Sequence, residues 1–432
     1  MRRFALLFVV AIIAVIGTVA ASGQLDEVSY PFPEDPAIEY AKRPVDDVVS
    51  RLNRGLEAGK ARLNFDGPQG YLRSVLDALN VPVESQMAVF SRTSVQAGRI
   101  SPQNPRTLFF NDSVTVGWVN GGFIELAAED PKQGVIFYTL AQAPWEQPQF
   151  KRDNSCLTCH ESYDALGVPG MIVRSNYTAP TGVIARELGF FNTDHRSPFE
   201  ERWGGWYVTG NSGAIGHMGN AMLTDRNKPE SMVTAETRNL PSLKGKFDTD
   251  AYLTPYSDIV ALMVFEHQMR MVNLLTRMGW QTRRFLSQTS DNSNPADRRT
   301  LQAGLDVVAK ELVDYMLFVD EAPFPNAIKG TSGFTEKFSV EGPRDSQGRS
   351  LRQLDLEHRL LKYPCSYMIY SEAFDALPPE AKDLVYRRMW QVLSGQIRDS
   401  KYARLNLADR QAIVGILRET KADLPSYFQP TP

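Results

Sequence analysis

VTVGWVNGGFIELAAEDPKQGVIFYTL, residues 114–140, decides how the first half of the chain is read. Val114, Val116 and Trp118 alternate with small or polar residues, which is the period of a strand with one buried face. Asn120-Gly121 is a hairpin turn pair. Phe123-Ile124-Glu125-Leu126 resumes the pattern, and Asp130-Pro131-Lys132-Gln133-Gly134 turns the chain again before Val135 to Leu140. Upstream, Met87-Ala88-Val89-Phe90 and Leu108-Phe109-Phe110 are strand-like. These runs predict an antiparallel meander of three or four strands between Gln86 and Leu140. Short helices are expected before it, near Val45 to Gly59 and Tyr71 to Leu79.

Beyond Tyr256 the period changes to that of a helix. Ser257 or Asp258 can cap a long helix to about Leu286, with Val260, Val264, His267, Met271, Leu274 and Met278 on one stripe. Further helices are predicted at Ala296–Phe318 and Leu351–Leu361, after Pro378-Pro379-Glu380, and after Asn406. The stretch from Gly330 to Gly348 is rich in Gly, Ser and charge and reads as a surface loop. Short strands are expected at Met171-Ile172-Val173 and Trp206-Tyr207-Val208. The fold class is therefore α+β: an antiparallel β-rich N-terminal region (24–150), a loop-rich segment (151–255) and a helical C-terminal region (256–432).

Composition narrows the function. Apolar residues at 43% supply a sizeable core, and a net charge of −3 gives no electrostatic case for a nucleic-acid partner. Arg2-Arg3 precedes a mostly apolar run from Phe4 to Ala21 and the small residues Ser22-Gly23. Residues 1–23 read as a secretory signal, the alternative being an uncleaved anchor through residues 4–21. Both predict an extracytoplasmic, periplasmic-type location.

The chain has three cysteines, too few for a disulfide scaffold. Two of them form Cys156-Leu157-Thr158-Cys159-His160. Two intervening residues put both sulfurs on one turn, where each can add to a vinyl group of haem, and the next imidazole can ligate the iron. The spacing points to one covalent haem c, anchored by Cys156 and Cys159 with His160 as proximal ligand. Two other readings stay open: a disulfide or redox dithiol, which needs a βαβ setting, and zinc, which needs ligands from elsewhere, such as Cys365.

The stretch NSCLTCHESYDALGVPG (154–170), the segments TDHRSPFEERWGGWYVTG (193–210) and HMGN (217–220), and the tail segments YPCSYMIYSEAFDALPPEAKDLVYRRMW (363–390) and LADRQAIVGILRET (407–420) carry a resemblance. Together they are similar to a family of large exported bacterial proteins containing a cytochrome c domain. The resemblance covers most of the chain after its N-terminal segment. It implies haem and export, and no known reaction.

The second axial position decides what haem iron does. His217, between glycines, is the leading candidate, with Met218, His195, His267 and Met171 behind it and an open site as the alternative. Arg174, Arg196 and Arg202 are candidates for propionate partners. Trp203, Trp206 and Tyr207 could pack a porphyrin face, although ordinary core roles suit them as well. Cys365 reads as a buried free thiol. Asp248 and Asp250 lack the rest of a calcium loop. The leading expectation is electron transfer to an unidentified redox partner protein. A peroxidase-like haem oxidoreductase and a haem redox or gas sensor are the alternatives.

Overall fold

A computed structural model describes residues 32–144, 146–232, 234, 237–289 and 294–428. The expected signal or anchor, residues 1–23, lies outside the described residues. No helix among the described residues is long and apolar enough to cross a membrane.

The fold is α+β, with an antiparallel sheet in the N-terminal half and helices in the C-terminal half. Two short helices, α1 (Val48–Glu57) and α2 (Leu72–Ala78), precede the strands β1 (Met87–Val89), β2 (Arg106–Phe110), β3 (Val114–Trp118), β4 (Ile124–Asp130) and β5 (Gly134–Leu140). The meander is larger than expected. The sheet has seven strands in the order β6-β5-β4-β3-β2-β1-β9, because β6 (Lys151–Arg152) and β9 (Trp206–Tyr207) close its two edges. Each is two residues long, too short to carry an alternation. Met171-Ile172-Val173 is not a strand. The strand there begins one residue later, as β7 (Arg174–Asn176), which pairs with β8 (Phe190–Asn192) in a separate hairpin.

The alternation along the strands sorts side chains to two cores. Phe109, Ile136, Tyr138 and Leu140 join Leu72, Val75 and Leu76 of α2 on one face. Leu108, Phe110, Val135 and Phe137 join the C-terminal helices on the other. Complete burial of an aliphatic side chain of this size contributes about 1.5–3 kcal/mol, so both faces stabilise the sheet. Asp47 caps α1 by accepting from Val49 and Ser50 N–H, and its other oxygen accepts from the Tyr138 hydroxyl at 2.6 Å.

After the four-residue helix α3 (Leu157–His160), the helical half is built on α4 (Ile259–Gln288). Its first two turns, Ile259 to Phe265, are apolar all round, as a helix enclosed on all sides must be. Asp258 caps it and also accepts from the backbone N–H groups of Thr331 and Ser332. Helices α5 (Pro295–Met316), α6 (Phe334–Val340), α7 (Glu372–Asp375), α8 (Pro379–Leu393) and α9 (Leu407–Thr420) complete the layer.

Two expectations fail here. The stretch 330–348 is not all loop, because Phe334 and Phe338, four residues apart and both buried, make the inward face of α6. Residues 351–361 are not helical. Asp355 Oδ1 accepts from Glu357 and His358 N–H at 2.9 Å, Leu356 takes a φ of 63°, and Leu354 bridges Leu361. An aspartate that captures its own downstream N–H groups nucleates a turn in place of a helix.

Candidate functional site

The Cys156–His160 turn leaves the edge strand β6 directly. Asp153 accepts from Ser155 N–H and Oγ–H, capping a turn of 3-10 helix over Asn154–Cys156 that runs into α3. Leu157 points inward and packs against both cores. That anchors the turn and leaves Cys156 half-buried and Cys159 exposed. Both thiols are free and three residues apart.

His160 is held from two sides. Its Nδ1 lies 2.9 Å from the Gly170 carbonyl oxygen, and the Phe137 ring of β5 packs 4.7 Å from its centroid. A carbonyl only accepts, so Nδ1 carries the proton and Nε2 keeps the lone pair. Burial lowers the imidazole pKa, which favours the neutral form. Nε2 has no hydrogen bond among the described residues and is not one of the buried unpartnered atoms, so it reaches open space.

The acceptor is itself fixed. Asn273 of α4 receives Met171 N–H at 3.1 Å and donates to the Met171 carbonyl at 2.8 Å. Val135 N–H reaches the Pro169 carbonyl at 3.2 Å. Gly170 passes so close that a Cβ there would lie 2.1 Å from Asn273 Oδ1. Beyond it, Arg174 pairs with Asp164 and lies over the Phe190 ring. Phe190 and Tyr163, the chain neighbour of Asp164, are exposed aromatic rings.

The other histidines lie elsewhere. His217 is buried against Trp203 with its Nδ1 unpartnered, and burial depresses its pKa to about 4. No hydrogen bond or ring contact joins it to the Cys156–His160 turn among the described residues. Met218 accepts from Ser175 Oγ at 3.5 Å. His195 and His267 meet Nδ1 to Nδ1 at 2.8 Å, and His267 Nε2 is taken by Ser366 Oγ at 2.8 Å. His267 therefore has both nitrogens engaged. Met171 is half-buried beside Gly170.

Around the histidine pair stands a buried polar cluster that sequence reasoning found only in pieces. Glu266 accepts from Thr193 Oγ at 2.7 Å and pairs with Arg202 at 3.1 Å. Arg202 also donates to the carbonyls of His195 and Ser197, so it is an interior ion-pair partner with no surface to offer. Arg196 is committed to Asp194. Arg174 is the flagged arginine that borders the Cys turn. The missed members are Glu266, Thr193 and Ser366. The signal was Glu266-His267-Gln268 interrupting an otherwise apolar helix.

Burial and the nearby Asp153 and Glu125 carboxylates push the Cys156 thiol up to about 11. Reactive dithiols and zinc thiolates sit in settings that lower this value. Cys365 is fully buried in the main core. Among the described residues no group of three or more His, Cys, Asp or Glu side chains is placed to hold a metal ion. The turn thus offers two free thiols and one oriented imidazole lone pair. That set suits covalent capture of a divinyl porphyrin with one axial nitrogen.

Comparison with family models, with curated proteins and with solved structures finds no match to this chain.

Proposed function

We propose that this chain carries one covalent haem c, attached through Cys156 and Cys159 with His160 as proximal iron ligand, and transfers electrons outside the cytoplasm. On this reading it belongs with large exported bacterial proteins that contain a cytochrome c domain, and residues 4–21 direct or anchor it. The haem supplies the redox couple. The chain's own residues hold it, orient it and set the surface that a redox partner protein meets.

The observation that carries the reading is the His160–Gly170 bond. Metal-bound imidazoles usually donate their second N–H to a carbonyl or carboxylate, which fixes tautomer and ring orientation. Here that bond is in place, and Gly170 is held by Asn273 through the adjacent Met171. The exposed Tyr163 and Phe190 rings offer apolar contact beside the turn, and Arg174 offers a cation.

The test is expression with the cytochrome c maturation system, followed by haem staining on a denaturing gel. Cys156→Ala and Cys159→Ala each weaken or abolish the stain. A stain that survives loss of both cysteines ends the covalent-haem reading. The structure places the expected distal ligand His217 against Trp203 with no contact to the turn among the described residues, so a six-coordinate low-spin spectrum that survives in His217→Ala would assign the distal position to another side chain.

A second reading, a peroxidase-like haem oxidoreductase, is favoured by one observation. The buried Arg202–Glu266 and His195–His267 pairs sit in one dry cluster, where titratable groups with shifted pKa values gather for a purpose more often than by chance. Rapid peroxide binding to the ferric protein would select this reading over transfer.

A further inference from the structure

We propose that the helical half carries a second, haem-independent site: a cleft that binds a small carboxylic acid bearing an ammonium or hydroxyl group next to its carboxyl. The cleft encloses about 280 Å³ between the end of α5, the 355–364 turn and the segment leading into α9.

Its floor is a stretch of unusual backbone. Phe318 and Asp320 both take left-handed conformations, with φ of 55° and 63°. A bulky residue is disfavoured at such a helix exit, where glycine is usual. The Phe318 ring is wedged against His195 and His267, at 4.5 and 4.4 Å. It closes the cleft against the buried histidine pair. Strained backbone of this kind persists where the surroundings hold it, and it concentrates at binding sites.

The decisive group is Glu321. It is only 4% exposed, and one carboxyl oxygen accepts from Leu360 N–H at 2.8 Å. The other oxygen has no hydrogen bond and is not among the buried unpartnered atoms, so it opens into the cleft that Glu321 lines. No Lys or Arg among the described residues forms an ion pair with this carboxyl.

Among the described residues, charge pairing leaves one complementary cation. Arg359 is held by Asp409 and Asp355, and Lys401 by Asp314. Among the described residues, Arg404 bonds only the Glu321 backbone carbonyl and has no carboxylate partner. That bond places an unpaired guanidinium fork beside an unpaired carboxyl. The fork fits a carboxylate bidentately, and Glu321 fits an adjacent donor. Phe318, Pro364 and Leu405 give a small apolar wall for an aliphatic body. The volume is below that of pockets for drug-sized ligands, and the acidic lining disfavours phosphate dianions.

Isothermal titration calorimetry of the full chain with L-alanine, L-leucine, L-lactate, acetate and ethylamine tests this. Saturable binding is expected for an amino acid or for lactate, and the outcome distinguishes ammonium from hydroxyl recognition. Acetate and ethylamine, each with half of the required chemistry, should bind at least about tenfold more weakly. Arg404→Gln and Glu321→Gln should each weaken binding about tenfold. Arg404 is exposed, so Arg404→Gln should keep the wild-type melting temperature. Binding should persist in Cys156→Ala/Cys159→Ala protein, which separates this site from the haem proposal. No binding by any of these compounds at about 10 mM, binding indifferent to both substitutions, or acetate binding as well as lactate and alanine overturns it.

Discussion

His160 and Gly170 exchange two hydrogen bonds: the imidazole Nδ1 meets the Gly170 carbonyl at 2.9 Å, and the Gly170 amide returns to the His160 carbonyl at 2.9 Å. The ring is thereby locked to a loop that α4 clamps through Asn273. Gly170→Ala would force a methyl into the Asn273 amide. It should destabilise the protein by about 1–3 kcal/mol through the two partly buried bonds it disturbs. Urea denaturation measures this, and an unchanged midpoint would show that the clamp holds nothing.

On the haem proposal, the two nitrogens of His160 have separable jobs. Asparagine can place a donor near the Nδ1 position while offering nothing at Nε2. His160→Asn should therefore keep most of the wild-type stability and lose the low-spin spectrum of the matured protein, with partial recovery on adding imidazole. An unaltered visible spectrum in His160→Asn protein would show that some other residue is the proximal ligand.

Asp258 gathers five hydrogen bonds at one buried carboxylate, from Val260 and Ala261 at the head of α4 and from Thr331 and Ser332 of a distant loop. Asp258→Ala strands those donors and should cost about 3 kcal/mol or more. Asp258→Asn keeps one acceptor oxygen and should cost less. Chemical denaturation of the pair gives the ordering, and equal losses would mean that an acceptor oxygen kept at the helix head contributes nothing.

Stability should fall between pH 6.5 and 8. Burial and the Asp112, Glu372 and Asp130 carboxylates push Glu129 up to about 8. The folded state then holds a proton that the unfolded chain releases near pH 4.3. The stability this group contributes is present at low pH and is lost as pH rises through about 8. Glu321, raised by burial to about 7, acts in the same direction. His217 and His267, lowered by burial to about 4 and about 3, act oppositely. Their contribution is complete above their unfolded value of about 6.5, so they do not offset the carboxyls in this window. Melting curves at several pH values should show a decline on the order of 1 kcal/mol, reduced in Glu129→Gln. A flat profile, or the same slope in Glu129→Gln, contradicts this assignment.

The sheet was legible because its strands carry their own period. Val114–Trp118 appears with the expected bounds, and both faces follow from alternation. The long helix was legible because Asp258 caps a run that keeps an apolar stripe for many turns. The turn at 351–361 was not, because its apolar spacing is helical and only the Asp355 side chain redirects it. At Phe334 and Phe338 the flanking glycines and charges obscured a pair of rings that the fold buries.

For the candidate site, the Cys156–His160 spacing is local and could be read directly. The support beneath it could not. Asn273 lies 102 residues from Met171, and no local pattern announces a bond across that distance. The interior ion pair of Arg202 and Glu266 was hidden for the same reason. An arginine in a loop reads as solvated until the fold shows what surrounds it.

The α3 turn is laid against the edge of a sheet whose strand pairing does not pass through it. The scaffold has its register and its caps without anything bonded to the two sulfurs. On the haem proposal, substitutions there should consequently yield a colourless protein of normal shape. Pigment and architecture can then be assayed as independent properties.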